Sequence, residues 1–412
     1  MRPSTSLLRV RALFLSIGVA ESALVPFLPL VLRERGLSNE AIGAVLALYA
    51  TTAIAAGPVW GYVADRLLGY ERTLVLSLTG TAAAILAFGF SHAVALIAIT
   101  GSLAWATRSA GMSVVDSIAL ARLGRERRSA YGGIRLWMSV GFAAGAIVFG
   151  ALDEVAGLGV VAPAYATLCA FNATALLVVF RRRRVRPARV SADSRTPVPR
   201  IPLSALPALA LFLVALFLTN AAYNASYTFG SVQIASLGGS VVFVGLAGGL
   251  QAFAEVPSMA WTRRLARRLR PGSIFAAGAA IYVFVYLLWA AAATPETLAA
   301  LRLVSGVGFG FTYVGTVLVA DELVPEELRA TGQAAAKAVG FGLAPIAGSL
   351  GGGFVYGTFG LTPFFLTAAV ITTAAALLAR WAEVVRPGGV GGMVLVAGAR
   401  WASALQGRRE RR

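Results

Sequence analysis

The chain reads as an all-α membrane protein, with twelve transmembrane helices arranged as two pseudo-symmetric six-helix bundles. Three observations lead there. It is 58% hydrophobic across 412 residues, with a mean hydropathy of +0.76. Apolar runs recur from end to end at the ~20 residues per helix that a bilayer core requires. Nearly all arginines between the runs fall on alternate connections. A soluble domain must wet its exterior and could not hide so much apolar surface.

The runs fall at 11–32, 41–64, 73–91, 94–121, 134–152 and 163–180, then at 204–235, 241–261, 273–293, 298–320, 332–357 and 362–382. The first follows a basic N-terminus (Arg2, Arg9, Arg11), as a signal peptide's apolar core would. It is long, contains Glu21, Pro26 and Pro29 and ends in charge, so it is expected to stay as the first helix. The second run holds Pro58 and leads into Asp65-Arg66; the fourth carries Arg108 and Asp116; the sixth holds Cys169. Residues 181–203 are basic, proline-rich and polar and cannot span, so they read as a cytoplasmic linker between an N-terminal bundle (1–180) and a C-terminal bundle (204–385). Residues 386–412 have an apolar core too short to span and read as a cytoplasmic tail, disordered or lying on the membrane surface.

The net charge of +18 comes from 36 Lys+Arg against 18 Asp+Glu. One set of connections holds Arg66 and Arg72, then Arg122, Arg125, Arg127 and Arg128, then Arg181 to Arg184, then Arg263, Arg264, Arg267, Arg268 and Arg270. The other set holds Arg33 and Arg35. The positive-inside rule places the rich set, and both termini, in the cytoplasm of a multi-pass protein of the inner (plasma) membrane. No aromatic residues interleave the basic runs, which argues against nucleic acid as a partner. One cysteine and one histidine, His92, leave no disulfide framework and no metal set. GVGFGF (306–311) and GSLGGG (348–353) lack the Lys-Ser/Thr of a phosphate loop and read as close helix packing, so no cofactor is expected. No nucleophile sits with a base, so no enzyme is expected.

The halves echo each other. Pro58 and Pro257 each end a helix before a charged loop (257 − 58 = 199), and Val140-Gly141-Phe142 recurs as Val339-Gly340-Phe341 at the same offset. This is the signature of a parallel repeat about an axis along the membrane normal.

Ionisable residues at mid-membrane depth are costly and by default face a cavity or a partner. Glu21, Arg108 and Glu255 stand out, with Arg302 and Lys337 as lesser candidates. Polar stripes at helical spacing accompany them: Asn220, Tyr223, Asn224, Tyr227 and Ser231; Gln251, Glu255, Ser258 and Thr262; and Arg302 and Ser305 continuing towards Thr312, Tyr313 and Thr316. Such stripes face either a cavity or a neighbouring helix. Asp65-Arg66, near the end of the second helix, can pair with a neighbouring loop in one conformation and release it in another. Asp116 and Arg135 complete this group of cytoplasmic gate candidates.

The chain resembles the major facilitator superfamily. Gly61-x-x-x-Asp65-Arg66 with Gly69 and Arg72 is similar to its loop 2–3 signature, with one extra residue between Arg66 and Gly69. Asp116 with Tyr131-Gly132-Gly133-Ile134-Arg135-Leu136-Trp137, Ala254-Glu255-Val256-Pro257, and Leu323-Val324-Pro325-Glu326-Glu327-Leu328-Arg329 resemble the branch holding lactose-permease-like and 3-phenylpropionate-permease-like proteins. Where that branch often has histidine on helix 10, this chain has Tyr313. The resemblance implies a monomer whose bundles rock about a central site, coupling protons to a small-molecule substrate. Glu21, Arg108, Asn220, Tyr223, Asn224, Tyr227, Gln251, Glu255 and Tyr313 are the candidates for binding substrate and proton. Uptake by symport is the leading expectation. Proton-driven efflux of drugs or metabolites uses the same parts, with aromatic residues such as Trp105, Phe229 and Trp261 suiting a wider cavity.

Overall fold

A computed structural model describes residues 5–123, 131–179 and 206–386. The linker expected at 181–203, and the tail beyond Arg386, lie outside the described residues. Among those residues the chain is helical throughout and contains no strand, as a bilayer dictates, because each backbone polar group must find its partner within the protein.

Among the described residues eleven helical stretches are long and apolar enough to cross a bilayer, and a twelfth span, span 4, is built from two shorter helices. Span 1 runs Thr5–Leu24 and, after a turn at Val25 to Phe27, Leu28–Glu34. Span 2 is Asn39–Tyr62, extended by a π-helical turn Val63–Leu68. Span 3 is Tyr70–Gly89, span 5 Tyr131–Ala156 and span 6 Val161–Val179. Spans 7 to 10 are Leu206–Ser236, Val241–Leu265, Pro271–Ala290 and Pro295–Leu323. Span 11 joins Arg329–Lys337, a π-helical turn Ala338–Leu343, and Ala344–Phe359; span 12 is Leu361–Val385. Side-chain caps start two of them: Ser38 accepts from the Ala41 N–H and Thr294 from the Thr297 N–H, each at 3.3 Å. Gly69 and Gly360, at φ 78° and 79°, make the sharp reversals that part consecutive helices.

Span 4 departs from the single helix expected at 94–121. It breaks at Ser109 into Val94–Arg108 and Ala110–Leu123. The carbonyls needed to continue the ladder are taken by other groups. The Ala106 carbonyl accepts from the Trp60 indole (2.7 Å) and the Ser109 hydroxyl (2.8 Å), and the Thr107 carbonyl accepts from the Ser77 hydroxyl (2.7 Å). Side chains inserted into the i→i−4 ladder interrupt a helix in this way.

Spans 1–6 and 7–12 form the two bundles, joined where span 2 meets span 11 and span 5 meets span 8. The two joints are built alike. A methyl group added to Gly43 of span 2 would sit 3.0 Å from the Gly353 Cα of span 11, and one added to Gly150 of span 5 would sit 3.0 Å from the Gly245 Cα of span 8. Only glycine permits this approach, and under the 199-residue repeat each joint falls about one helical turn from the other's equivalent (43 + 199 = 242 beside Gly245; 150 + 199 = 349 beside Gly353).

Both joints lie towards the face remote from the chain ends, here the far face. Arg33 of span 1 adds a bond to the Val232 carbonyl of span 7 (2.9 Å), and Glu154 of span 5 accepts from the Val241 N–H that opens span 8 (2.7 Å). On the terminal face the halves part except where the Arg263 guanidinium of span 8 reaches towards Gly132 of span 5. Gly57 and Gly61 of span 2 look into open space. Among the described residues every ion pair near that face stays within one half: Arg122–Glu71 at 3.1 Å, Arg135–Asp116 at 3.0 Å, Arg329–Glu326 at 3.4 Å, Arg380–Glu383 at 2.6 Å, and Arg386–Glu322.

Candidate functional site

In the N-terminal half, span 1 and the break in span 4 bring Glu21 and Arg108 together. The Arg108 Nε lies 3.1 Å from each Glu21 carboxylate oxygen, and its Nη2 also donates to Oε2. The Tyr165 hydroxyl on span 6 donates to Oε1 at 3.3 Å. The guanidinium sits 5.3 Å from the Trp105 ring, itself stacked on Tyr49. This is a planar fork-to-carboxylate pair with an aromatic wall, the arrangement for which arginine rather than lysine is suited. The sequence alone does not single out Tyr165, whose only signal there is a hydroxyl within an otherwise apolar run.

In the C-terminal half, Gln251 is the hub. Its Nε2 lies 2.5 Å from the Tyr223 hydroxyl and 3.2 Å from the Glu255 carboxylate, while its Oε1 accepts from Arg302 at 3.2 Å. Gln251 and Glu255 meet because they are one turn apart on span 8. Arg302, buried on span 10, also donates to the Ser226 and Tyr227 carbonyls of span 7, at 3.1 and 3.0 Å. It reaches them because Gly230 leaves room, since a Cβ there would collide with the guanidinium. The Tyr227 and Trp289 rings lie 5.0 and 4.9 Å from that guanidinium, where ring quadrupoles favour a cation. Among the described residues no carboxylate pairs directly with Arg302.

The remaining candidates divide. Tyr223 packs on Tyr282 and Phe309, and Tyr313 continues this aromatic file by stacking on Phe309 and meeting Phe341. Tyr313 also lies within electrostatic reach of Arg135 across the gap between the halves. Asn220 instead donates to the Leu216 carbonyl of its own helix (3.0 Å), and Asn224 accepts from Ser349 of span 11 (3.1 Å). Both are thus engaged in helix structure outside the Gln251 cluster. Asp116 and Arg135 form a pair between spans 4 and 5, with the Tyr131 hydroxyl 3.4 Å from Arg135. Asp65 and Arg66 are exposed on the π-helical turn of span 2, with Asp65 beside Tyr70 of its own half. Lys337 is exposed and stands apart from the cluster.

The MFS_1 like family matches residues 10–367. A maltose permease of Geobacillus stearothermophilus is 29% identical over 367 residues, 88% of this chain and 91% of that protein. The class B tetracycline resistance protein of Escherichia coli is 27% identical over 197 residues, 47% of this chain and 48% of that protein. Among solved structures, the nucleoside transporter NupG superposes with a TM-score of 0.76 at 16% identity, covering 92% of this chain and 99% of its own.

Proposed function

The chain belongs to the MFS_1 like family, and on that premise we propose that it carries a small organic solute inward together with protons by alternating access. Transport across a membrane is what its family and fold share. The direction, the coupling and the residues below are our reading. The arginine bias places the terminal face in the cytoplasm of a cell whose inner membrane holds the protein, so the state described opens to the cytoplasm. Alternation would part the glycine joints at the far face and close the terminal face around the site, with Asp65, Arg66, Asp116 and Arg135 guarding the cytoplasmic entrance. The protein is expected to act as a monomer.

One contrast carries the proposal: the two mid-depth carboxylates are held differently. Glu21 is clamped by a guanidinium, so protonating it would strand Arg108. Glu255 contacts the neutral Gln251 amide, so it can gain and lose a proton without breaking an ion pair. Glu255 is therefore the proton carrier of this reading. Arg108 and Glu21 shape the N-terminal wall of the binding site, and Tyr223, Tyr227, Gln251 and Tyr313 the C-terminal one. The maltose permease similarity puts sugars first among solutes to test, ahead of organic acids and nucleosides.

Proteoliposomes provide the test. An imposed inward proton gradient should stimulate uptake, and Glu255→Gln should abolish that stimulation while leaving solute counterflow within about threefold of wild type. Wild-type uptake indifferent to the gradient would overturn proton coupling.

A second reading, efflux, is favoured by an apolar cleft of about 700 Å³ between spans 5 and 8 and by the partial likeness to the tetracycline resistance protein. Cells lacking the gene would then accumulate the solute rather than fail to take it up.

A further inference from the structure

The cleft between spans 5 and 8 has a basic mouth. It is lined on span 5 by a face running from Ser139 to Ile147 and on span 8 by a face running from Gly249 to Pro257. Each face extends ~12 Å along its helix, close to the ~15 Å depth of one leaflet's hydrocarbon. The lining is hydrocarbon except for the Ser139 hydroxyl, and Val140, Ile147 and Phe253 are 43%, 44% and 68% exposed. Towards the far face the cleft ends blind, where Gly150 meets Gly245.

Towards the terminal face the span 8 side continues at helical spacing through Phe253, Val256 and Pro257, and Ala260 to Arg263 and Arg264. The Arg263 guanidinium reaches across to span 5, 3.7 Å from where a Cβ on Gly132 would lie. Arg263 and Arg264 are exposed, and among the described residues neither pairs with a carboxylate.

A blind apolar slot one leaflet deep, crossed at its mouth by the Arg263 guanidinium with Arg264 next to it in the chain, complements one kind of molecule. We propose that it is a binding site for an anionic phospholipid of the terminal-face leaflet. One acyl chain occupies the cleft between spans 5 and 8, and the phosphate group lies on Arg263 and Arg264. The chain lodges where the two halves have parted, so it must withdraw when the terminal face closes. Lipid and conformation are thereby linked, and the anionic lipid favours the state described here. This site is separate from the Glu255 cluster, and its test does not depend on the direction or coupling of transport.

Native mass spectrometry of the delipidated full-length chain, offered equal dioleoylphosphatidylglycerol and dioleoylphosphatidylcholine, tests it. Wild type should retain one phosphatidylglycerol, favoured roughly fivefold for each arginine engaged. Arg263→Gln with Arg264→Gln should abolish that preference while still binding phosphatidylcholine. Ala144→Phe, which fills the cleft, should lose retention of both lipids. Arg72→Gln, on the same face but away from the cleft, should change neither. Equal retention of the two lipids by wild type would overturn the proposal without any variant. So would a loss of preference in Arg72→Gln as large as in the Arg263 and Arg264 pair, which would show diffuse surface charge. Unchanged lipid retention but failed transport in Ala144→Phe would make the cleft part of the solute path and would equally overturn it.

Discussion

Arg108 and Arg302 occupy corresponding spans of the two halves, 4 and 10, yet they are accommodated differently. Arg108 has a carboxylate from span 1, whereas Arg302 has carbonyls from span 7, an amide and two aromatic rings. Removing one member of a buried ion pair strands the other. Glu21→Gln should therefore lower stability by about 2–3 kcal/mol, less than for a fully buried pair because the side chains remain 28% and 19% exposed. Adding Arg108→Gln should recover more than half of that loss, as read from a double-mutant cycle of thermal unfolding in detergent. Gly230→Ala should push Arg302 off the span 7 carbonyls and leave a buried cation under-satisfied. We expect it to cost about 1–3 kcal/mol in the same assay. Glu21, Arg108 and Glu255 were legible in the sequence because charge in an apolar run is conspicuous. Tyr165 was not, since tyrosine is common in such runs and its role depends on which helix faces it. Asn220 and Asn224 lie on the same polar stripe as Tyr223, but periodicity records a shared face and not what that face touches.

At the scale of helices, the apolar runs predicted the spans well, because length and hydropathy alone decide whether a segment can cross a bilayer. The break in span 4 escaped prediction because its causes, the Trp60 indole and the Ser77 hydroxyl, come from spans 2 and 3. The glycine joints show the same dependence. Gly150 and Gly245 are two of 45 glycines in the chain, and only their meeting gives them a role. A large side chain at Gly245 would collide with span 5 and part the halves at the far face. Gly245→Leu should therefore expose Ser231, which is 6% exposed and lines a small cavity with Pro26 and Arg302 at this seam. In a Cys169→Ser background, Ser231→Cys should resist a membrane-impermeant maleimide applied from the far face, and Gly245→Leu should make it reactive. Continued protection would show that this joint is dispensable to the seal.

At the scale of the molecule, polar contacts between the halves gather on one side. Glu154 places a negative charge on the first N–H of span 8, a favourable position at a helix N-terminus. Glu154→Gln should weaken the far-face seal by about 1 kcal/mol, or roughly a fivefold shift towards the opposite opening. The Ser231→Cys labelling rate should rise by that factor, and an unchanged rate would remove Glu154 from the seal.

The sequence by itself determined the class, the number of spans, the two-fold repeat and the charges that break the apolar rule. Each of these follows from local composition and from the energy of moving a residue out of water. Only the tertiary structure decided which charges meet, that buried Arg302 is held without a carboxylate among the described residues, where span 4 breaks and which face is sealed. Those outcomes depend on contacts between helices distant in sequence, made where glycine lets backbones approach, and periodicity within one helix carries no record of its neighbour.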